Sequence, residues 1–213
     1  MTDVPAPPTL GLVLAGGLAR RMGGGDKARI EIGGISILDR VLATLSGQCV
    51  DIIINANGDP ARFADTGCVV VPDNVPDYPG PLAGILAGLD WLAGQNNGIE
   101  WLLSVPGDCP FLPDDLAERL HAARRKLGTG VGLACARSGE WRHPVVGLWP
   151  LALRASLRKV LVEEGLRKIE VWTARHGVAV ADWPAEPVDP FLNVNTREDA
   201  ERAERIALQH SGL

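Results

Sequence analysis

A short apolar run that halts at glycine sets the terms for this chain. Leu10–Leu14 leads straight into LAGGLARRMGGGDK, Leu14–Lys27, which holds five glycines together with Arg20, Arg21 and Lys27. An apolar run that stops at glycines is how a buried parallel strand reaches a strand-to-helix loop. Glycine lets backbone N–H groups approach phosphate oxygens closely, and the three cations can neutralise a triphosphate or a departing pyrophosphate. The loop therefore reads as an anion cradle. It carries neither GxxxxGK[ST] nor GxGxxG, so it is neither a Walker loop nor a dinucleotide fingerprint. Asp26 reads as the loop cap or ion-pair partner that orients Lys27.

Beyond the loop, apolar periodicity alternates between the two regular forms. Helical spacing covers Ile37–Leu45, and the β-branched DIIIN at Asp51–Asn55 reads as a strand. Cys68–Val71 is a third strand. Leu82, Ile85, Leu86 and Leu89 share one helical face after a Pro/Gly start, and Trp101–Val105 is a fourth strand running into the turn PGDCP. Asp114 and Asp115 open an amphipathic helix that ends near Lys126. Gly130–Ala136 and Pro144–Trp149 read as strands around a polar turn, RSGEW, forming an antiparallel element at one sheet edge. Helices over Leu151–Val162 and Leu166–Arg175, a strand at Val178–Ala181 and a charged helix at Arg197–Leu208 complete the pattern.

This alternation predicts an α/β fold: a single-domain, three-layer, doubly wound and mostly parallel sheet spanning residues 1–213. With 46% hydrophobic and 22% charged residues, 213 residues supply one well-buried core. Such sheets bind ligands beyond the carboxyl ends of their strands. The unusual residues cluster there: Leu14–Gly17, Asn55–Asn57, Asp73 and the turn around Asp108.

Charge and cysteine usage narrow the partners. A net charge of −5 and a pI near 5.4 give no general basic field, which argues against long nucleic acid or an anionic membrane as a partner. No apolar stretch reaches spanning length and the opening MTDVPAPPTL lacks a signal-peptide pattern, so a cytoplasmic setting is expected. Cys49, Cys68, Cys109 and Cys135 are scattered singly, as buried thiols rather than a zinc site or a disulfide framework.

The loop Leu14–Lys27 closely resembles the opening signature of the molybdenum cofactor guanylyltransferases, within the glycosyltransferase-A-like nucleotidyltransferases. VDIIINAN at Val50–Asn57, DYPGPLAG at Asp77–Gly84 and FLNVNTRED at Phe191–Asp199 match the same family in order. Between about Thr129 and Pro187 the resemblance is confined to RHP at Arg142–Pro144. It implies GTP contacts from Leu14, Ala15, Gly16, Gly17, Lys27, Asn55, Asp73, Gly80, Gly84 and Asp108, with Asp108 also holding Mg²⁺, or Mn²⁺ in its place. Asn193 and Asn195, with His143, become candidates for the acceptor side or floor of the site. The division would fall near residue 128, nucleotide before it and acceptor after it.

Several of these positions have plainer readings. An Asp in a strand-end turn also serves as a cap, Thr196 or Asn195 suits a helix N-cap, and Gly80 and Gly84 either admit the base or shape a helix start. Asp73 can accept from guanine or from ribose hydroxyls. Trp141, with Arg142 and His143 in a predicted loop, would either face a flat pterin or form a surface turn. The other tryptophans read as packing residues.

The implied reaction is in-line attack of the molybdopterin phosphate on the α-phosphorus of GTP. A phosphomonoester is largely ionised at neutral pH, its second pKa being about 6, so no dedicated base is needed. Lys27, Arg20, Arg21 and Asp108 would act by positioning and charge. Rival readings are a molybdopterin cytidylyltransferase, a sugar-phosphate nucleotidyltransferase, and a non-catalytic nucleotide-binding regulator on the same fold. The LAGG form of the loop favours guanine over cytosine by resemblance. Transient contacts with molybdenum-insertion proteins and molybdoenzyme chaperones are implied in the same way.

Overall fold

The computed structural model describes residues 5–16, 27–75, 80–126, 128 and 132–210. Its main sheet has seven strands: β1 (Thr9–Leu14), β4 (Asp51–Asn55), β5 (Val69–Val71), β6 (Trp101–Pro106), β7 (Leu133–Ser138), β8 (Trp141–Pro150) and β9 (Val178–Trp183). Their spatial order is β5-β4-β1-β6-β8-β7-β9. Only β8 runs against its neighbours, pairing antiparallel with β6 and with β7. A small separate hairpin joins β2 (Glu31–Ile32) to β3 (Ile35–Ser36).

Among the described residues six α-helices cover the two faces: α1 (Ile37–Ser46), α2 (Pro81–Gln95), α3 (Leu116–Arg125), α4 (Arg154–Val162), α5 (Ile169–Thr173) and α6 (Arg197–Gln209). Successive strand residues point to opposite faces, and two cores follow. Val13, Ile54, Leu103 and Val105 pack with Leu38, Val41, Leu116, Leu120 and Ala203 from α1, α3 and α6. Leu12, Ile53 and Leu102 pack with Ile85, Leu89, Leu157, Leu161 and Trp172 from α2, α4 and α5. The three-layer architecture expected from the alternation is present.

The expected antiparallel pair is β7–β8, one place in from the edge, because β9 adds in parallel along β7 and becomes the outer strand. The turn between them is shorter than the polarity of RSGEW suggested. Ser138 and Trp141 are already paired across the ladder, so Trp141, Arg142 and His143 lie in β8 and not in a loop. Polar side chains are compatible with strand when one face is wet, and Trp141 is 77% exposed.

Helix starts follow local capping chemistry. Ser36 accepts from the Asp39 N–H at the head of α1, and Thr196 with Asp199 forms a capping box on α6. Asp115 precedes α3 without capping it; its carboxylate accepts instead from Trp183 Nε1 at 2.8 Å. At the amino ends of the strands, His121 is fully buried with both ring nitrogens engaged. Arg124 Nε donates to Nδ1 at 3.0 Å, so Nε2–H donates to Thr9 Oγ1 at 2.8 Å, and that hydroxyl donates to the Pro7 carbonyl. Burial, reinforced by Arg124 and Arg125, pushes the His121 imidazole down to about 3. Among the described residues no helix is long and apolar enough to cross a membrane.

Candidate active site

Three parallel strands end side by side and their turns are stitched together. Ala15 N–H donates to the Asn55 carbonyl at 2.9 Å and Gly107 N–H to the Leu14 carbonyl at 3.0 Å. Glycine at 107 eases that closeness: a Cβ there would stand a tight 3.3 Å from the Leu14 carbonyl oxygen. The turn after β6 thus presents Asp108 directly beside the start of the glycine-rich loop. A cleft of about 300 Å³ opens here, lined by Leu14, Ala15, Pro106–Asp108, Asn193 and Arg142–Val146.

Asp108 is half-buried and held from the C-terminal segment. Asn193 Nδ2 donates to Asp108 Oδ1 at 2.9 Å, and Val194 N–H donates to the Asp108 carbonyl at 2.9 Å. Asn193 is thereby brought beside Asp108 in the cleft lining. Asn195 lies outside the cleft lining, and its backbone N–H donates to Asp199 as part of the start of α6. The adjoining Cys109 is buried, and burial raises its thiol well above the usual range, so it stays a protonated packing group.

On one flank, Asn55 ends β4 and Asp73 follows β5. Asn55 Nδ2 donates to Asp73 Oδ1 and to the Val71 carbonyl, each at 3.0 Å. Asn57 Nδ2 donates to Asp73 Oδ2 at 2.8 Å and accepts from the Asp73 N–H at 2.9 Å. The two amides fix the carboxylate from both sides. Asn57 was within view in the sequence as part of Asn55–Asn57, yet nothing there showed that it pairs with Asp73. Gly84 lies buried beneath this group: a Cβ on it would sit 2.2 Å from Asn55 Oδ1 and 2.7 Å from Leu14 Cδ2. Its glycine is explained by helix-to-sheet contact. Gly80, exposed, is the N-cap of α2 at φ 153°, ψ 165°.

The opposite flank is built by β8. Between Cys135 and Ala136 of β7 the partner on β8 jumps from Gly147 to His143, so Pro144, Val145 and Val146 bulge out of the ladder and into the cleft wall. Proline lacks the N–H that a ladder needs and suits this position. His143 Nε2 is 2.7 Å from Ser138 Oγ, and its ring packs on Phe191 at 4.8 Å. Burial lowers the His143 pKa, with Asp189 opposing, so the ring is neutral at pH 7. Arg142, beside it, adds a cation to the lining.

Of the glycine-rich loop, Gly17, Arg20, Arg21 and Asp26 lie outside the described residues, as does the Lys27 side chain. The chain re-enters at the Lys27–Arg29 turn, and Ala28 lines the cleft.

The fold is the α/β fold of known nucleotidyltransferases. The architecture is shared with molybdopterin-guanine dinucleotide biosynthesis protein A from Archaeoglobus fulgidus, at TM-score 0.72 and 21% identity, covering 94% of this chain and 99% of that one. A CMP:2-keto-3-deoxy-manno-octonic acid synthetase complexed with CTP superposes at TM-score 0.72 with 11% identity, covering 95% of this chain and 99% of the other. The family profile of the MobA-like NTP transferase domain matches residues 11–184. The molybdenum cofactor guanylyltransferase of Nitrobacter hamburgensis is 57% identical over 209 residues, 98% of this chain and 99% of that protein. The chain belongs to the MobA-like NTP transferase family.

Proposed function

We propose that this protein transfers GMP from GTP to the phosphate of molybdopterin, releasing pyrophosphate and forming the guanine dinucleotide form of the molybdenum cofactor. The observation that carries the reading is Asp108, fixed by Asn193 at the junction of two unlike cleft walls. The near full-length identity to a guanylyltransferase supports the choice of substrates.

The wall made by β1, β4 and β5 takes the nucleotide. Backbone of Leu14–Gly17 and the cations Arg20, Arg21 and Lys27 serve the phosphates, while Asn55 and Asp73, with Gly80 at the head of α2, face base and ribose. Each carboxylate oxygen of Asp73 can accept more than one hydrogen bond, so it keeps capacity beyond the two asparagine amides. Gly84 contributes by letting Asn55 take its place. The wall made by β8, with His143, Arg142 and Asn193, takes the acceptor.

The described residues contain no group of three or more His, Cys, Asp or Glu placed to share a metal ion. A single oriented carboxylate suits Mg²⁺, or Mn²⁺, which fills its remaining positions with water and substrate phosphates. When bound at Asp108, the ion supplies charge neutralisation at the reacting phosphates. An acceptor phosphate oxygen then forms the new bond to the α-phosphorus as the α–β bridge breaks, and pyrophosphate carries away the electron pair. The nucleophile is already ionised, its second pKa being about 6, so neutral His143 orients rather than deprotonates.

Pyrophosphate release tests this with GTP, CTP, ATP and UTP, each with and without molybdopterin and Mg²⁺. Turnover is expected only for GTP in the presence of both molybdopterin and Mg²⁺. The CTP complex of a protein of the same fold shows that the architecture admits other bases, and turnover with CTP but not GTP overturns the assignment.

A further inference from the structure

Ser104 lies in the middle of the apolar strand β6, is fully buried, and is the only hydroxyl among Trp101–Val105. Its Oγ donates to the Val145 carbonyl at 2.6 Å and accepts from Trp149 Nε1 at 2.7 Å. Val145 is the central residue of the bulge that walls the cleft. The ladder between β6 and β8 ends at Ser104–Gly147, so beyond that point the hydroxyl takes over where backbone pairing stops.

The indole that completes the pair is itself fixed. Trp149 stays on the same strand face as Gly147, and a Cβ at Gly147 would stand 3.1 Å from the indole, so glycine leaves the space the ring crosses to reach Ser104. Trp149 stacks on the fully buried Trp172, with centroids 6.1 Å apart and planes 22° apart. A chain of contacts therefore runs from the core under α4 and α5 to a single carbonyl of the cleft wall. A bulge carbonyl that lost its donor would have no ladder partner to return to.

We infer that Ser104 is a positioning residue for the acceptor: its hydroxyl, oriented by Trp149, sets the shape of the Pro144–Val146 wall without touching substrate. This rests on the reading of the β8 wall as the acceptor side. Among the described residues the nucleotide wall shares no hydrogen bond with the Ser104 hydroxyl, so the two substrates respond differently to its loss.

The test is steady-state kinetics of Ser104→Ala and Trp149→Phe with GTP and molybdopterin, alongside the wild-type protein, GTP affinity and thermal melting. Ser104→Ala is expected to raise KM for molybdopterin about ten-fold, the worth of one buried hydrogen bond, with KM for GTP within about two-fold. Trp149→Phe keeps an aromatic ring but removes the N–H together with part of the indole; it is expected to shift the same constant by about three-fold and carries the test if Ser104→Ala does not fold. Equal shifts in both substrates, or no shift in either variant, overturn the inference. Wild-type protein that fails to transfer GMP to molybdopterin overturns the underlying reading instead.

Discussion

The two ends of the sheet each hold a histidine bonded to a hydroxyl, and they are put to opposite use. At the amino end, His121 engages Thr9 through one nitrogen and Arg124 through the other, and its ring is sealed. At the carboxyl end, His143 engages Ser138 through Nε2, while Nδ1 has no hydrogen-bond partner among the described residues, and the ring lines a cleft. Burial keeps both neutral. A hydroxyl partner and a depressed pKa therefore do not distinguish the two rings; what differs is that His143 borders the cleft and His121 does not. On the proposed function the same contrast extends to whole ends: the amino end would set stability, and the carboxyl end, which opens on the cleft, would set activity.

That division can be broken by experiment. The largest effect is expected at Asp108. Asp108→Asn should cut kcat/KM by about 100- to 1000-fold, typical of losing one group that stabilises transition-state charge, with the melting temperature nearly unchanged. Collapse of stability together with activity would show that the carboxylate is structural.

His121 should give the converse. Its folded pKa of about 3 lies below the ordinary 6.5, so between those values the unfolded chain holds one proton more than the folded one. Stability is then lost as pH falls through that window, by about 1.4 kcal/mol per pH unit, and is insensitive to this group above it. Urea melts from pH 7 to 5 should show this slope reduced in His121→Gln, with guanylyl transfer per folded molecule unchanged at pH 7. An unchanged slope would mean that the ring is protonated in the fold.

The smallest effect is expected at Asn57, an exposed partner of Asp73. Asn57→Ala should raise KM for GTP by about three-fold without altering KM for molybdopterin, since exposed hydrogen bonds contribute under about 1 kcal/mol. A change confined to molybdopterin would reverse the assignment of the two walls.

Much of this was legible in the sequence wherever a regular run met a breaker. Leu10–Leu14 stopping at glycine, DIIIN stopping at Asn55 and WLLSV entering PGDCP each located a strand end, and the site assembled there. The helix start at Arg197 was legible through Thr196, whereas the cap of α1 by Ser36 was not read from the sequence. What escaped depends on contacts distant in sequence. Gly84 looked like a helix-start or base-approach residue because nothing local shows Asn55 lying 2.2 Å from its missing Cβ. The β8 bulge escaped because its polar approach, Trp141–His143, has loop composition while its hydrogen bonds are those of a strand. Ser104, a hydroxyl in an apolar run, was the one local signal that something in that strand needed a donor.

The fastening of Asp108 carries a consequence for synthesis on the ribosome. Every strand of the main sheet is complete by Trp183, while the amide that orients Asp108 belongs to Asn193, further along the chain. Chains emerge N-terminus first, so a nascent polypeptide can hold the entire sheet before the Asp108 carboxylate has been aimed. Folding and competence are thereby separated in time, with competence last.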